Sequence, residues 1–221
     1  MVKKTYIDIS VPISKKLPLW PGTPKISFKK YLSLEKGDRA DDTIYSASVH
    51  VGTHIDAPRH YFAGAQGIND VPLDVFIGEV FVLDVGDSDV ITKEYLDQAC
   101  IPKGNRRILF RTKNSELWNS APETFSESYV SLSECGAQWI VNHNYKLVGI
   151  DYLSIERYHG SGAVHRILLE NNVCILEALD LTQATKGRYM LYALPLKIEK
   201  IEASPVRAVL IPYDQGENNE I

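Results

Sequence analysis

The stretch TIYSASVHVGTHID, residues 43–56, limits what this chain can fold into more than any other segment. It is rich in Thr, Val and Ile and has a period of two, a pattern typical of a β-strand. Because side chains alternate along a strand, one extended segment would place His50, Gly52, His54 and Asp56 on the same face. The opposite face, directed at the core, would carry Val49, Val51, Thr53 and Ile55. We therefore predict one long strand, with Gly52 leaving room between the two imidazoles.

A helix fits the same residues less well. It would keep His50 and His54 together at i and i+4 but rotate Asp56 away from them, and Gly52 and the β-branched residues disfavour it. Two imidazoles and a carboxylate on one strand face favour a divalent cation such as Zn²⁺ or Mn²⁺ over the alternative of separate hydrogen-bonded histidines. Three protein ligands would leave a coordination position open for water, as in catalytic sites.

His60 lies beyond Pro58, where strand alternation no longer predicts direction. A histidine just past this turn could act as a general acid and base beside the ion, or it could simply cap the turn. The residue pattern alone leaves both interpretations open.

Composition excludes several classes of protein. The 221 residues are 44% hydrophobic with a formal net charge of -4, which is ordinary for a globular protein and unsuited to nucleic-acid binding. No apolar run reaches the roughly 18 to 20 residues that cross a bilayer, and the N-terminus lacks the apolar middle of a signal peptide. The three cysteines are scattered and lack CxxC spacing, which predicts a cytoplasmic protein without disulfides. They are Cys100, Cys135 and Cys174.

Short apolar strands alternate with a few helices along the chain. Besides strands near both termini, we predict strands at 79–85, 107–112, 146–151 and 173–179, and helices at 92–100, 131–144 and 163–172. This order is typical of an α/β or α+β protein with a mixed sheet. We predict a single domain over residues 1–213, followed by a polar tail at 214–221.

The eleven residues HVGTHIDAPRH match the signature HxGTHxDxPxH and resemble the cyclase family that includes bacterial kynurenine formamidases. The resemblance extends to PLDVFIGEVFVLDV, LVGIDYLSIE and ALPLKIEKIEASPVRAVLI, and so covers most of the chain. It implies a swivelling β/β/α cyclase-like fold, with a central mixed or barrel-like sheet flanked by helices. It also implies a homodimer or a larger homo-oligomer.

The resemblance implies a set of metal ligands. One ion would bind His50, His54 and Asp56, and a second would bind Asp56 together with His165 and Glu177 from the stretch AVHRILLENNVCILEAL. A carboxylate within the apolar run VCILEALDL is costly to bury unless it is paired or bound to metal. Without the resemblance, a surface position for Glu177 is an equally good interpretation.

Two further roles come from the resemblance. The third histidine of the signature, the family's proton donor and acceptor, corresponds to His60. Trp20 in PLWPGTP corresponds to a tryptophan that contacts substrate, although a tryptophan between prolines often only anchors a loop. His159 in ERYHGSG is a competitor for the metal role given to His165, and spacing alone does not separate them.

The function implied is that of a metal-dependent amidohydrolase. Its most direct form is an arylformamidase, which converts N-formyl-L-kynurenine to L-kynurenine and formate in tryptophan catabolism. One or two Zn²⁺ or Mn²⁺ ions would activate water, and no GxSxG nucleophile elbow is present. The alternatives are a hydrolase of isatin-like cyclic amides or a cyclase at the same site, and, in another class, a non-catalytic metal-binding protein.

Overall fold

A computed structural model describes residues 6–120 and 123–213, so the predicted tail at 214–221 lies outside the described residues. The strands are β1 (Ile7–Asp8), β2 (Ser27–Leu32), β3 (Asp42–Ser46), β4 (His54–Asp56), β5 (Ile77–Asp84), β6 (Val90–Ile91), β7 (Arg107–Arg111), β8 (Ser131–Leu132), β9 (Leu147–Ile150), β10 (Cys174–Glu177), β11 (Gly187–Tyr192), β12 (Ala203–Pro205) and β13 (Val209–Pro212). The α-helices are α1 (Leu73–Phe76), α2 (Lys93–Gln98), α3 (Leu117–Ser120), α4 (Glu134–Asn142) and α5 (Ala163–Glu170). Short 3₁₀ turns span Leu34–Lys36, Pro58–His60, Ile68–Asp70 and Lys113–Glu116.

Nine strands form one mixed sheet in the order β1-β13-β11-β5-β7-β9-β10-β4-β12. The four central strands β5, β7, β9 and β10 are parallel, and the strands on either side of them are antiparallel. The sheet curls into a half-barrel flanked by helices, which confirms the predicted single-domain α/β class with a mixed or barrel-like sheet.

The central strands are buried on both faces, which explains why they are continuous apolar runs in the sequence. In β5, Val80 and Val82 enter a core cluster together with residues of β10, β11 and β13. Phe81 and Leu83 point to the other side, into a cluster built with residues of α2, α4 and α5. The helices predicted at 92–100, 131–144 and 163–172 correspond to these three helices.

The prediction of one long strand over residues 43–56 is wrong. The chain leaves β3 at Ser46, turns, and re-enters extended structure only at His54. β3 pairs with β2 in a separate two-stranded sheet, whereas β4 lies between β10 and β12 in the main sheet. Within the intervening turn, Gly52 has a φ of +69°, a left-handed conformation that does not occur in a regular strand.

The structural role of Gly52 differs from the predicted one, which was to leave room between the two imidazoles. A Cβ at this position would lie 2.7 Å from Cγ1 of Ile13, so the glycine permits close packing of the N-terminal segment. Thr53, the next residue, is buried, and its hydroxyl donates to the carbonyl of Ala178 at 2.6 Å and accepts from the amide of Val11 at 2.9 Å. These two hydrogen bonds join the turn between β3 and β4 to the N-terminal segment and to the chain that follows β10.

Among residues 6–120 and 123–213, the structure has no helix whose length and apolar character would let it span a bilayer. All three cysteines are free thiols, with Cys174 buried and Cys100 and Cys135 exposed.

Candidate metal and active site

Strand pairing brings the first part of the site together. Within β4, His54 and Asp56 point the same way because they are two residues apart, as predicted. β10 runs antiparallel beside β4, and its register places Glu177 opposite His54. All three side chains are buried. Nε2 of His54 lies 3.5 Å from an oxygen of Asp56 and 3.5 Å from an oxygen of Glu177.

His50 and His60 reach the same point from turns on either side of β4. Nδ1 of His50 lies 2.9 Å from Oδ1 of Asp56, although His50 precedes the strand and does not share its alternation. His60 ends the 3₁₀ turn Pro58–His60, and its Nε2 lies 3.9 Å from Oδ2 of Asp56. The ring centroids of these two histidines are 4.3 Å apart. Asp56 is thus the centre of the motif.

The competing histidines His165 and His159 lie in different surroundings. His165 lies on α5 with its side chain buried, and its Nε2 is 3.3 Å from Oε1 of Glu177. His159 is 81% exposed and faces Glu127 at 3.7 Å. The structure therefore brings His165, and not His159, to the cluster. Glu177 is buried, which excludes the surface position left open from its sequence.

The two central carboxyl groups are ionised despite their burial. Burial disfavours the charge on Asp56, but His50 and His54 beside it hold the pKa of this carboxyl well below its usual range. Burial likewise opposes ionisation of Glu177, while the imidazoles of His165 and His54, at 3.3 and 3.5 Å from its oxygens, lower its pKa. The cluster therefore presents two anionic carboxylates.

The imidazoles respond to these anions in different ways. Burial would lower the pKa of His165, but contacts with Glu156 and Glu177 raise it to about 10 in the metal-free protein. Burial dominates at His60 and lowers its pKa, which favours the neutral ring at neutral pH. The directions of these pKa shifts therefore distinguish His60 from His165.

Several buried polar atoms in this cluster are unsatisfied. Among the residues that the structure describes, Nε2 of His54 and both carboxylate oxygens of Asp56 lack a hydrogen bond of good geometry, although Nδ1 of His50 lies 2.9 Å from Oδ1 of Asp56. Nδ1 of His54 is already used, since it lies 2.9 Å from the carbonyl of Gly52. Buried polar atoms without partners are costly, and a cation bound among them would satisfy them. The residues present therefore fit a divalent metal ion.

Two groups of ligand atoms meet the distance requirement for a metal ion. The ligand atoms of His50, Asp56 and His60 lie within 4.8 Å of one another, and so do those of His54, Asp56 and Glu177. Asp56 belongs to both groups. The grouping differs from the prediction in three ways. His60 takes the place of His54 beside His50, His54 groups with Glu177, and His165 belongs to neither group.

A cavity of about 330 Å³ opens beside the cluster and gives solvent access to it. His50, His54, His60 and His165 line one side, and the N-terminal loop with Trp20 lines another. Trp20 is half-buried and packs edge-on against Phe125 at 5.5 Å and Tyr158 at 5.2 Å between ring centroids. The loop therefore reaches the site, as a substrate-contacting role for Trp20 requires.

Sequence reasoning missed three residues near the cluster. Tyr61 lines the cavity and stacks on His165, with ring centroids 5.1 Å apart. Glu156 contacts Nδ1 of His165 at 3.0 Å, and Glu202 lies 3.6 Å from Nε2 of His50. Glu156 ends the apolar block LVGIDYLSIE, so the argument applied to Glu177 could have found it. Nothing in the local sequence distinguishes Glu202.

The chain belongs to the cyclase family. The family profile described as "Putative cyclase" matches residues 7–157. "Cyclase-like protein 3" of Oryza sativa subsp. japonica is 36% identical over 213 residues, which cover 93% of this chain and 79% of that protein. "Cyclase-like protein 3" of Arabidopsis thaliana is 35% identical over 217 residues, 95% of this chain and 80% of its own length. The resemblance seen in HVGTHIDAPRH is thereby confirmed.

Solved structures share the fold over nearly the whole chain. One, described as a "potential metal-dependent hydrolase with cyclase activity", has a TM-score of 0.82 and 30% identity, covering 96% of this chain and 100% of its own. A "predicted metal-dependent hydrolase" from Bacillus stearothermophilus has a TM-score of 0.82 and 28% identity over the same proportions. Isatin hydrolase A from Labrenzia aggregata, at 20% identity and a TM-score of 0.79 over 95% of this chain and 94% of its own, shares the fold.

Proposed function

We propose that this chain is a metal-dependent hydrolase of carbon–nitrogen amide bonds, and in particular an arylformamidase acting on N-formyl-L-kynurenine. The observation that carries the proposal is the set of unsatisfied buried ligand atoms on His54 and Asp56, beside a solvent-accessible cavity that His54 and other members of the cluster line. Structural relatives described as metal-dependent hydrolases support the same class of chemistry.

The proposed ligands are His50, His54, Asp56, His165 and Glu177, with Asp56 shared between two positions for Zn²⁺ or Mn²⁺. When bound, a divalent cation polarises a carbonyl group and makes water acidic enough to act as a nucleophile near neutral pH. The contribution of the chain is to hold imidazole and carboxylate donors in fixed positions, and to leave the side that faces the cavity open.

We assign proton transfer to His60. Its imidazole lines the cavity, and its lowered pKa leaves the ring neutral and able to accept a proton. The resulting imidazolium would then donate that proton to the departing nitrogen, as general acid–base catalysis requires. In an arylformamide this nitrogen leaves as an aniline, a better leaving group than an alkyl amine.

Trp20 supports an aromatic substrate. Its ring lines the same cavity as the histidines and is braced by Phe125 and Tyr158. An aryl group held against this wall would direct its amide towards the cluster. The products of the proposed reaction are L-kynurenine and formate, within a cytoplasmic pathway of tryptophan breakdown.

A hydrolysis assay of the zinc- or manganese-loaded protein tests the function. N-formyl-L-kynurenine is compared with isatin, whose cyclic amide would be opened by the same type of site. Preferential turnover of the formamide supports the proposal. Preference for isatin would reassign the protein as a cyclic-amide hydrolase, and inertness towards both would favour a non-catalytic metal-binding protein.

The variant His60→Ala tests the role of the proton carrier. We expect turnover to fall by about 10²- to 10⁴-fold while bound metal is retained. His159→Ala is the matched control, because that histidine is 81% exposed and lies outside the cluster. Loss of one metal equivalent in His60→Ala would instead identify His60 as a ligand, and unchanged turnover would remove it from the mechanism.

We also propose that the protein is a homodimer formed through the β2–β3 hairpin. Ten of the eleven residues in these two strands are exposed, yet they include Phe28, Tyr31, Ile44 and Tyr45. A lone two-stranded sheet is only marginally stable, and clustered exposed apolar groups mark interaction surfaces. Sedimentation should show a dimer that Ile44→Lys dissociates. Leu73→Lys, at a residue 66% exposed outside the hairpin, should not dissociate it.

A further inference from the structure

Glu156 is a buried carboxylate in contact with one of the proposed metal ligands. Its side chain is only 8% exposed. Oε2 lies 3.0 Å from Nδ1 of His165 and accepts from the backbone amide of the same residue at 3.3 Å. Oε1 accepts from the amide of Gly162 at 2.7 Å. Both oxygens are therefore engaged, and one of them is directed at the imidazole.

The loop that follows Glu156 is shaped around this carboxylate. A Cβ at Gly160 would overlap the side chain of Glu156, so a glycine is needed for the loop to close over it. The hydroxyl of Tyr129 donates to the main-chain carbonyl of Glu156 at 2.6 Å and fixes the backbone. The position of the carboxylate is thus fixed by contacts from three separate parts of the chain.

The ring of His165 has little freedom to choose another arrangement. Tyr61 stacks on it with an interplanar angle of 9°, and the far side of the ring, Nε2, faces Oε1 of Glu177 at 3.3 Å. Because Glu156 occupies Nδ1, Nε2 is the nitrogen left for the cluster. His54 is arranged in the same way, with the carbonyl of Gly52 on Nδ1 and Nε2 facing the carboxylates.

We infer that Glu156 is a positioning residue, which holds His165 with Nδ1 protonated so that Nε2 binds the metal ion. The inference rests on the proposed metal site. A ligating histidine commonly donates its second N–H to a carboxylate, which fixes the ring and increases its basicity as a ligand. Unlike the neutral carbonyl that serves His54, Glu156 brings a negative charge to this contact.

The substitution Glu156→Gln tests the inference while preserving shape. An amide offers one oxygen and one NH₂ group, so it cannot accept from both Gly162 and His165. We expect the zinc affinity of one site, measured by calorimetry with ZnCl₂ as the probe, to fall by about 10- to 100-fold. Glu127→Gln is the matched control, since Glu127 also faces a histidine but is 62% exposed. The zinc affinity of this control variant should equal that of the unmodified chain.

A second variant separates positioning from general support of the fold. In a His165→Ala background, Glu156→Gln should have no further effect on zinc affinity, because the group through which it acts is gone. An equal loss in both backgrounds would mean that Glu156 only maintains the loop, and would overturn the inference. Absence of zinc binding to the unmodified chain would overturn the metal site itself.

Nitrogen NMR of the zinc-loaded, unmodified protein gives a further readout, for which no variant has to fold. The ring of His165 should show a protonated Nδ1, with the proton protected from exchange, and zinc on Nε2. Zinc on Nδ1, or a proton on Nε2, would contradict the assignment. Such a result would leave the wider metal site intact, so failure of this inference can be told from failure of the proposed function.

Discussion

Replacing Gly52 by alanine should destabilise the protein for two reasons that can be separated. The residue has φ of +69°, and an L-residue in the left-handed region costs about 1 to 2 kcal/mol. The added Cβ would lie 2.7 Å from Cγ1 and 3.3 Å from Cδ1 of Ile13. Overpacking of this kind costs about 1 to 3 kcal/mol. The sum is about 2 to 5 kcal/mol of lost unfolding free energy.

Urea and thermal denaturation would measure this loss. In a domain of this size, each kcal/mol lowers the unfolding midpoint by about 2 to 4 °C, so Gly52→Ala should lower it by about 4 to 20 °C. Gly86→Ala is the matched control. Gly86 also has a left-handed φ, +63°, but nothing lies within 4 Å of its Cβ position, so only the backbone cost of about 1 to 2 kcal/mol applies.

The double variant Gly52→Ala with Ile13→Ala isolates the overlap, because it removes both contacting atoms of Ile13. We expect the two substitutions together to cost about 1 to 3 kcal/mol less than the sum of their separate costs. If Gly52→Ala costs no more than Gly86→Ala, and the double variant is additive, close packing against Ile13 is not the reason for this glycine. The claim that Gly52 permits close packing of the N-terminal segment would then be refuted.

Three further predictions concern the interior and the metal site. Thr53→Val keeps the shape of the side chain but removes its two buried hydrogen bonds, so the unfolding free energy in urea should fall by about 2 to 5 kcal/mol, and a loss below 0.5 kcal/mol would contradict this. Burial raises the pKa of Asp151 to about 6 despite its hydrogen bonds. The folded state therefore holds this proton more tightly than the unfolded state does, and the bound proton stabilises the fold fully below about pH 4. As pH rises from about 4 through about 6, this stabilisation is lost and the free energy of unfolding falls by about 3 kcal/mol. Asp151→Asn cannot lose this proton, so between these pH values its free energy of unfolding should rise by about 3 kcal/mol relative to that of the unmodified chain. A difference between the two proteins that does not change with pH would disprove the raised pKa. Finally, the pKa values of His54 and His165 are raised in the metal-free protein, so zinc binding at pH 7 should release protons and weaken as pH falls. Calorimetry in buffers of different ionisation enthalpy would detect the release, and its absence would show that these rings are not ligands.

The regular elements of the central sheet could be predicted from short segments. The runs at 79–85, 107–112, 146–151 and 173–179 are apolar because both faces of a parallel strand are buried, and β5, β7, β9 and β10 form there. The same local reasoning failed for residues 43–56. The alternation of residue types continues through the turn that contains Gly52. Such a pattern does not reveal that a single residue has a positive φ.

The candidate site shows the same division. His54 and Asp56 share a face because they are two residues apart in β4, and the sequence alone predicted this. His50 lies in the turn before the strand, and its contact with Asp56 depends on backbone geometry that the alternation argument did not include. The three side chains therefore lie close together, but strand alternation explains this only for His54 and Asp56.

The sequence by itself determined which chemical groups are available, the buried strands, and membership of the family through eleven consecutive residues. Only the tertiary structure decided that β4 lies between β10 and β12, which brings Glu177 opposite His54 across more than 120 residues of chain. It also placed His165, and not His159, beside the cluster, and it revealed Glu156 in contact with that ring. Local propensity acts over a few neighbouring residues, whereas the pairing of distant strands depends on burying the apolar faces of the whole chain together.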